Sequence, residues 1–259
     1  MQMGERRAMK RAIWLVVSFA LLTAPVAWAQ ERPVTIRYLG WSFFLVTTAD
    51  GVRIAMDPYG NIGYPFPTVE ADVVTVSHEH GDHNNVGLVK GSPRVFRGLA
   101  TGAADWNRFY ERFGSTLVYS VAAFHDDVQG TSPRGLNVLF VIVTDGLRIA
   151  HLGDIGQPAL TDGQLRALGT IDVLMIPVGD GPFTVTIPQA SALVAQIRPK
   201  VVIPMHYKTP TRQPPTWPGV DERPFLEGKQ NVRRLGSHTL TISRDQLPST
   251  TQIVVMEHQ

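Results

Sequence analysis

Ser77-His78-Glu79-His80-Gly81-Asp82-His83 sets three imidazoles and a carboxylate within six consecutive positions, directly after the apolar run Val73–Val76. Neutral imidazole is the commonest protein metal ligand, and Asp or Glu oxygens complete many zinc sites. A strand end followed by a tight glycine turn can aim His78 and His80 at one cation while Asp82 and His83 swing to a second. Three further groups stand where apolar runs end: Phe124-His125-Asp126 after Leu117–Ala123, His151-Leu152-Gly153-Asp154, and Pro204-Met205-His206-Tyr207 after Val201–Ile203. Strand ends are rigid platforms, which a metal site needs because bond lengths tolerate only ~0.2 Å of error. The chain has no cysteine, which excludes disulfides, thiolate ligands and a cysteine nucleophile together. It also has no Gly-x-Ser-x-Gly elbow.

Two residues are expected to support such a centre. Asp57 closes the run Val52–Met56 and is followed by the stiffening Pro58. Because metal-bound imidazoles usually donate their other N–H to a carboxylate, Asp57 is expected to accept a bond from His78, His80 or His83. His151, three residues before Asp154, is assigned a supporting role beside the ligands. His238 and His258 have no motif around them and are read as surface residues.

The elements that must position these groups are mostly strands. Val34–Leu39 and Phe43–Thr48 are followed by the turn Ala49-Asp50-Gly51 and by Val52–Met56, a hairpin pattern. The pattern returns in Asn137–Thr144, Asp145-Gly146 and Leu147–Leu152. Asp50-Gly51-Val52-Arg53-Ile54-Ala55 matches Asp145-Gly146-Leu147-Arg148-Ile149-Ala150, and each copy is followed by an Asp-Val-led strand, Asp72–Val76 or Asp172–Ile176. Two such halves predict a pseudo-duplicated domain of two packed sheets. Helices are expected at His83–Lys90, at Ala103–Phe113 before Gly114, and at Pro188–Ile197 before Pro199. Lys200–Pro204 reads as the buried strand that delivers His206. Residues 208–235 read as a long Pro-rich surface loop, ahead of strands Thr239–Ser243 and Thr251–Met256. Strands with helices outside them predict an α/β fold, a four-layered αββα sandwich.

His78-x-His80-x-Asp82-His83, followed in order by His125, Asp154 and His206, resembles the metallo-β-lactamase superfamily over residues 34–256. Met56-Asp57-Pro58, Gly153-Asp154, Ile176-Pro177-Val178-Gly179 and Ile203-Pro204-Met205-His206-Tyr207 place the resemblance nearest the branch of L-ascorbate-6-phosphate lactonase and N-acyl-phosphatidylethanolamine phospholipase D. The resemblance implies two divalent ions at one edge of the sandwich, zinc first, with manganese or iron as alternatives. His78, His80 and His125 would hold one ion, Asp82, His83 and His206 the other, and Asp154 would bridge them. The implied reaction is hydrolysis of a small ester, lactone, lactam or phosphodiester by a hydroxide shared between the ions, with Asp82 orienting it or passing a proton. A di-iron oxidoreductase and a non-catalytic metal-binding protein are the alternatives. The first lacks a flavin domain or electron-carrier motif here. The second conflicts with a site left open by the protein.

Three loops are candidate substrate walls. Tyr59–Thr68 offers Tyr64 and Phe66 as an aromatic lip, Gly179–Thr184 offers Phe183 and Thr184, and the Pro-rich stretch 208–224 offers Trp217. No Arg or Lys cluster adjoins the motifs in sequence, which argues against a phosphate pocket; Lys208 alone lies near His206.

Residues 1–29 have the form of a cleavable secretory signal, with Arg6, Arg7, Lys10 and Arg11, the apolar run Ala12–Ala24, and Ala27-Trp28-Ala29. The apolar run is short of the ~20 residues a spanning helix needs. Cleavage after Ala29 into a periplasmic or secreted protein is expected, by the general or the twin-arginine route, leaving residues 30–259 as one domain. The formal charge of +2 then falls to near −1, with 20 basic and 21 acidic residues. No basic face for nucleic acid remains, and membrane contact is expected only through an uncleaved signal.

Overall fold

Runs of β-branched and aromatic residues become strands in the computed structural model, which describes residues 33–132, 134–212 and 214–259. The signal expected over residues 1–29 lies outside them. The strands are β1 Val34–Gly40, β2 Phe43–Thr47, β3 Arg53–Met56, β4 Val69–Glu70, β5 Val73–Val76, β6 Val89–Lys90, β7 Arg94–Arg97 and β8 Tyr110–Phe113. They continue as β9 Thr116–Phe124, β10 Leu136–Thr144, β11 Leu147–His151, β12 Val173–Pro177, β13 Val201–Met205, β14 Val232–Arg234, β15 Thr239–Ile242 and β16 Gln252–Val255. One sheet has the order β15-β1-β2-β3-β5-β7, the other β14-β16-β13-β12-β11-β10-β9-β8, and β4 pairs with β6 alone.

Alternation of side chains across each strand divides the apolar residues between two cores. Tyr38, Phe44, Val46 and Met56 face a core shared with Val118, Phe140, Ile149 and Leu174 of the second sheet. Leu39, Phe43, Leu45, Val74 and Val76 face the other way, beneath Tyr59, Tyr64, Val89 and Trp217. The second sheet is covered by helices α1 Asp162–Leu168, α2 Ile187–Ile197 and α3 Arg223–Leu226, which contribute Leu168, Leu193, Ile197 and Phe225 to the main core. The outer layer on the first sheet is built instead from the loop over residues 58–71 and the 3-10 turn Val86–Leu88. The arrangement is the α/β sandwich expected from the residues.

The two halves repeat each other in detail. Strand β3 runs parallel to β5 with Ile54 beside Val73, and β11 runs parallel to β12 with Ile149 beside Val173. Asp72 accepts from the Arg53 amide at 2.8 Å, and Asp172 accepts from the Arg148 amide at 2.7 Å. The two hairpin turns also meet, since Asp145 Oδ2 accepts from the Ala49 amide at 2.9 Å. Asp145 and Gly146 both have positive φ, the twist that a two-residue hairpin turn requires.

Three helix expectations fare differently. Pro188–Ile197 lies within α2, which ends at the left-handed Arg198 before Pro199. His83–Lys90 holds only the 3-10 turn and strand β6. Ala103–Phe113 is not a helix. Trp106 Nε1 donates to the carbonyls of Ala123 and Asn137, and Asn107 Nδ2 donates to those of Arg97 and Leu99. Tyr110–Phe113 then pairs with β9 as strand β8. These tertiary partners outbid a helix that would have satisfied only its own backbone. The expected loop 208–235 also contains α3 and β14. Helix α1 was not anticipated, although Thr161 and Gln164 form a capping box that the sequence displays.

Candidate metal centre

Parallel strands deliver the polar groups to one rim of the sandwich. Strand β5 ends at Val76, so Ser77 and His78 emerge beside Asp57, which follows β3. Strands β9, β11 and β13 end just before His125, Asp154 and His206. The seven residues singled out by their spacing come together there, and all but His80 and Asp82 are nearly sealed from solvent.

Asp154 is the centre of the cluster. Its Oδ2 lies 3.1 Å from His206 Nε2, 3.2 Å from His83 Nε2, 3.6 Å from His125 Nε2 and 3.8 Å from His78 Nε2. The His83 approach lacks the alignment of a hydrogen bond, leaving Nε2 without a partner. His78 Nε2, both nitrogens of His125, His206 Nδ1 and Asp154 Oδ1 are likewise buried with no hydrogen-bond partner among the described residues. Buried polar atoms are normally satisfied. The orphaned Nε2 atoms of His78, His83 and His125 all lie within 3.8 Å of Asp154 Oδ2, and unpartnered nitrogens gathered round one carboxylate oxygen are the signature of a place for cations.

The donor atoms sort into two groups. His78, His80 and His125 each offer an atom within 4.8 Å of the others, and so do Asp82, His83 and His206. A third combination, Asp57 with His78 and His83, also meets that distance. Asp57 is already spent, however. Its Oδ1 accepts from the Ser77 amide at 2.7 Å, and its Oδ2 accepts from Ser77 Oγ at 2.5 Å and from His83 Nδ1 at 3.0 Å.

That network decides which ring nitrogens are free. Because His83 Nδ1 carries the hydrogen given to Asp57, Nε2 is the nitrogen that faces the cleft and the one whose proton a cation would displace. Ser77 gives its single hydroxyl hydrogen to Asp57, so Ser77 Oγ accepts from His78 Nδ1 at 2.9 Å. The Nε2 of His78 is thereby bared as well. One buried carboxylate sets two imidazoles in the form a metal requires, directly for His83 and through Ser77 for His78.

His151 plays a different part. The Gly153 amide donates to its Nδ1 at 3.1 Å, and its Nε2 donates to the Ser42 carbonyl at 2.9 Å. With both nitrogens occupied it ties the end of β11 to the β1–β2 turn and has no lone pair for a metal. The turn that follows needs glycine: Gly153 has φ +53°, and a Cβ there would stand 2.5 Å from Asn137 Oδ1 and 2.6 Å from Ser77 Cβ. Asn137 in turn accepts from the Asp154 amide at 3.2 Å.

Charge shapes the protonation of the cluster. Burial dominates at His78 and His151 and lowers both pKa values, and it takes His125 down to about 4. Burial opposes charge at His83, yet the neighbouring Asp154 and Asp82 carboxylates hold its pKa well above the ordinary value. Asp154, although buried, is held well below the usual carboxylate range by His206 and His83.

Trp41 escaped the sequence reading. Its Nε1 donates to Asp82 Oδ2 at 3.1 Å, and its ring lies 3.9 Å from the His206 ring, centre to centre. Trp41, Asp57 and His206 all have positive φ near +50°, a conformation that non-glycine residues adopt at a cost of about 1–3 kcal/mol and that clusters at functional sites. The cleft over the histidines has a volume of about 330 Å³ and is lined by Phe183, Trp217, Arg134 and Arg212 in addition to Trp41 and the cluster.

The proposed loop residues are therefore only partly placed at the site. Phe183 and Trp217 wall the cleft. Tyr64 does not: it is buried against Gly40, whose Cβ would sit 2.7 Å from the ring, and its hydroxyl bonds Thr209 Oγ1 at 2.7 Å. Phe66 is exposed outside the cleft, and Thr184 is buried next to Phe183 without lining it. Lys208 faces a larger cavity of about 640 Å³ with Tyr207, Glu222, Arg234 and His258, which none of the clustered histidines lines. His258 is half-buried, edge-on to Tyr64.

A family model described as a beta-lactamase superfamily domain matches residues 35–206, and the chain belongs to that family. A UPF0173 metal-dependent hydrolase of Symbiobacterium thermophilum is 36% identical over 196 residues, covering 67% of this chain and 84% of the relative. Its counterpart in Thermococcus kodakarensis is 28% identical over 212 residues, covering 74% and 89%. Among solved structures, a Thermotoga maritima member of the metallo-beta-lactamase superfamily, described as a proposed Zn-dependent hydrolase, is 31% identical. It superimposes with a TM-score of 0.67 over 87% of this chain and 100% of its own.

Proposed function

We propose that this chain is a metal-dependent hydrolase of a small molecule, working with two divalent cations, zinc foremost. His78, His80 and His125 would hold one and Asp82, His83 and His206 the other, with Asp154 between them. The observation that carries the proposal is the convergence of four histidine Nε2 atoms within 3.8 Å of one buried carboxylate oxygen. The names of the relatives point the same way. When bound, such a cation pair supplies a nucleophile from water at neutral pH and polarises a carbonyl or phosphoryl group.

The protein's own side chains supply the rest. Asp57 and Ser77 keep the His83 and His78 rings fixed, so little reorganisation is needed on binding. Trp41 steadies one oxygen of Asp82, a partly exposed carboxylate on the cleft that is placed to orient water or hold a proton for the leaving group. Phe183 and Trp217, their rings stacked at 6.0 Å, exclude water from one side.

Chelated protein reloaded with zinc, manganese or ferrous iron is expected to hydrolyse at least one member of a panel of chromogenic esters, lactones, lactams and bis(4-nitrophenyl) phosphate. Protein carrying stoichiometric metal with no turnover on the panel would overturn the proposal. Asp82→Asn preserves shape and one oxygen donor, so most of the metal is expected to remain while turnover falls by about a hundredfold or more. Elemental analysis and initial rates read the two quantities separately, and parental turnover would remove Asp82 from the reaction.

Export is part of the same proposal. Expressed from its full sequence in a Gram-negative host, the protein is expected in the periplasmic fraction with an N-terminus at Gln30. Recovery of the intact Met1 form from the cytoplasm would count against it.

A further inference from the structure

The fold brings to the cleft two guanidinium groups that stand far apart in sequence. Arg212 comes from the loop after β13, and Arg134 from the loop between β9 and β10. The Arg212 Cζ lies 4.5 Å from the centre of the Trp41 ring and 5.6 Å from that of Trp217, and the Arg134 Cζ lies 5.6 Å from the Phe183 ring.

Arg212 is 7% exposed, yet no carboxylate stands within 4.0 Å of it among the described residues. Its Nε is sealed from water without a hydrogen-bond partner. By contrast, Arg53 pairs with Asp72, Arg97 with Glu79, and Arg148 donates to Tyr119 Oη and the Leu168 carbonyl; Arg37 Nε is also sealed without a partner, but on a residue that is itself only partly buried and stands away from the cleft. A cation taken out of water needs an anion or a full set of acceptors, and aromatic faces compensate only in part. Asp82 is the carboxylate that acts on Arg212 electrostatically, from beyond ion-pair range, and it already takes the Trp41 N–H. Under the proposed function Asp82 is committed to a metal as well. The guanidinium wall of the cleft therefore has, among the described residues, no carboxylate in ion-pair contact with it, and the two that line the cleft, Asp82 and Asp154, are those assigned to the cations.

We propose that Arg212, assisted by Arg134, forms a subsite for an anionic group on the substrate, a carboxylate or a phosphoryl group set beside the bond that is cut. This deepens the hydrolase reading and rests on it. The planar fork of guanidinium fits both groups through paired N–H donors. The guanidinium sits over the Trp41 ring, and among the described residues none of its N–H groups is hydrogen-bonded to the protein. A volume of about 330 Å³ suits a compact metabolite-sized molecule. The absence of basic residues beside the histidine motifs, which argued against such a pocket, is thus a property of the linear order alone.

The test is calorimetric titration of the zinc-loaded mature protein with inorganic phosphate and, separately, with propionate. The anion that binds more tightly identifies the group. Arg212→Gln is expected to weaken that binding at least tenfold and Arg134→Gln at least threefold, with zinc content unchanged. Arg212→Lys keeps the charge and loses the fork; an expected loss of at least threefold lets it carry the test should the glutamine variant not fold. Anions held by the metal alone would bind the parent and Arg212→Gln equally, which would overturn the proposal, as would failure of the parent to bind either anion at 50 mM. Weakened binding in Arg212→Gln together with no hydrolysis on the panel would sink the hydrolase reading and leave the anion subsite standing.

Discussion

Asp154→Ala is expected to empty the centre of metal and to lower kcat/KM by about a thousandfold, the equivalent of about 4 kcal/mol of lost transition-state stabilisation. Among the described residues, its Oδ2 is the one anionic atom within 3.8 Å of His78, His83, His125 and His206 together. Without it, the two proposed cations and the imidazoles round them would share a nearly dry volume with no central negative charge, a state that buried electrostatics penalises heavily. Asp154→Asn keeps the volume and loses the charge, so it should resemble the alanine variant. Elemental analysis should find less than one equivalent of metal in either, and hydrolysis rates on the best panel substrate should follow. Two equivalents of metal with parental rates would remove Asp154 from the centre.

Asp57→Ala carries the second large effect, and it acts through other residues. The carboxylate satisfies the Ser77 amide, the Ser77 hydroxyl and His83 Nδ1, all buried. Each orphaned group costs about 1–3 kcal/mol, so a loss near 3 kcal/mol or more is expected, lowering Tm by roughly 6–12 °C. The His83 and His78 rings also lose the partner that bares their Nε2 atoms, and metal affinity should fall about 10–100-fold. Asp57→Asn separates the two effects. Asparagine tolerates the positive φ of this position and retains an acceptor oxygen, so stability should recover more than metal affinity does. Thermal unfolding of the metal-free protein and competition with a chromogenic chelator give the two numbers. Unchanged affinity in both variants would show that Asp57 serves packing alone.

The histidine cluster was legible because its signal is local. Val73–Val76 is a run of β-branched residues interrupted in polarity only by Thr75, as suits a strand covered on both faces, and the polar residues after it are placed at the strand's end. The same logic reached His125, Asp154 and His206, and the doubled Asp-Gly hairpins disclosed the two halves of the fold. Asp57 could be proposed from its place after a strand, but its link to His78 through Ser77 is visible only in three dimensions.

The errors share one cause. Ala103–Phe113 has helical spacing, but Trp106 and Asn107 find carbonyl partners on β7, β9, β10 and the loop beyond β7, and distant partners carry no mark in a local pattern. Tyr64 sits in a glycine- and proline-rich stretch that reads as exposed, whereas Gly40 provides a slot for its ring. Trp41 and Arg212 stand 171 positions apart and have no shared motif, yet they stack at 4.5 Å.

Residue order alone disclosed the histidines and carboxylates of the candidate centre, their grouping at strand ends and the β-rich duplicated plan, because hydrophobic period and turn chemistry act over a few residues. Tertiary structure decided which nitrogens are bare, which aromatic rings wall the cleft and that two arginines face it. Those outcomes depend on where separate strand ends and loops meet, and that is set by the packing of two sheets rather than by any neighbour along the chain.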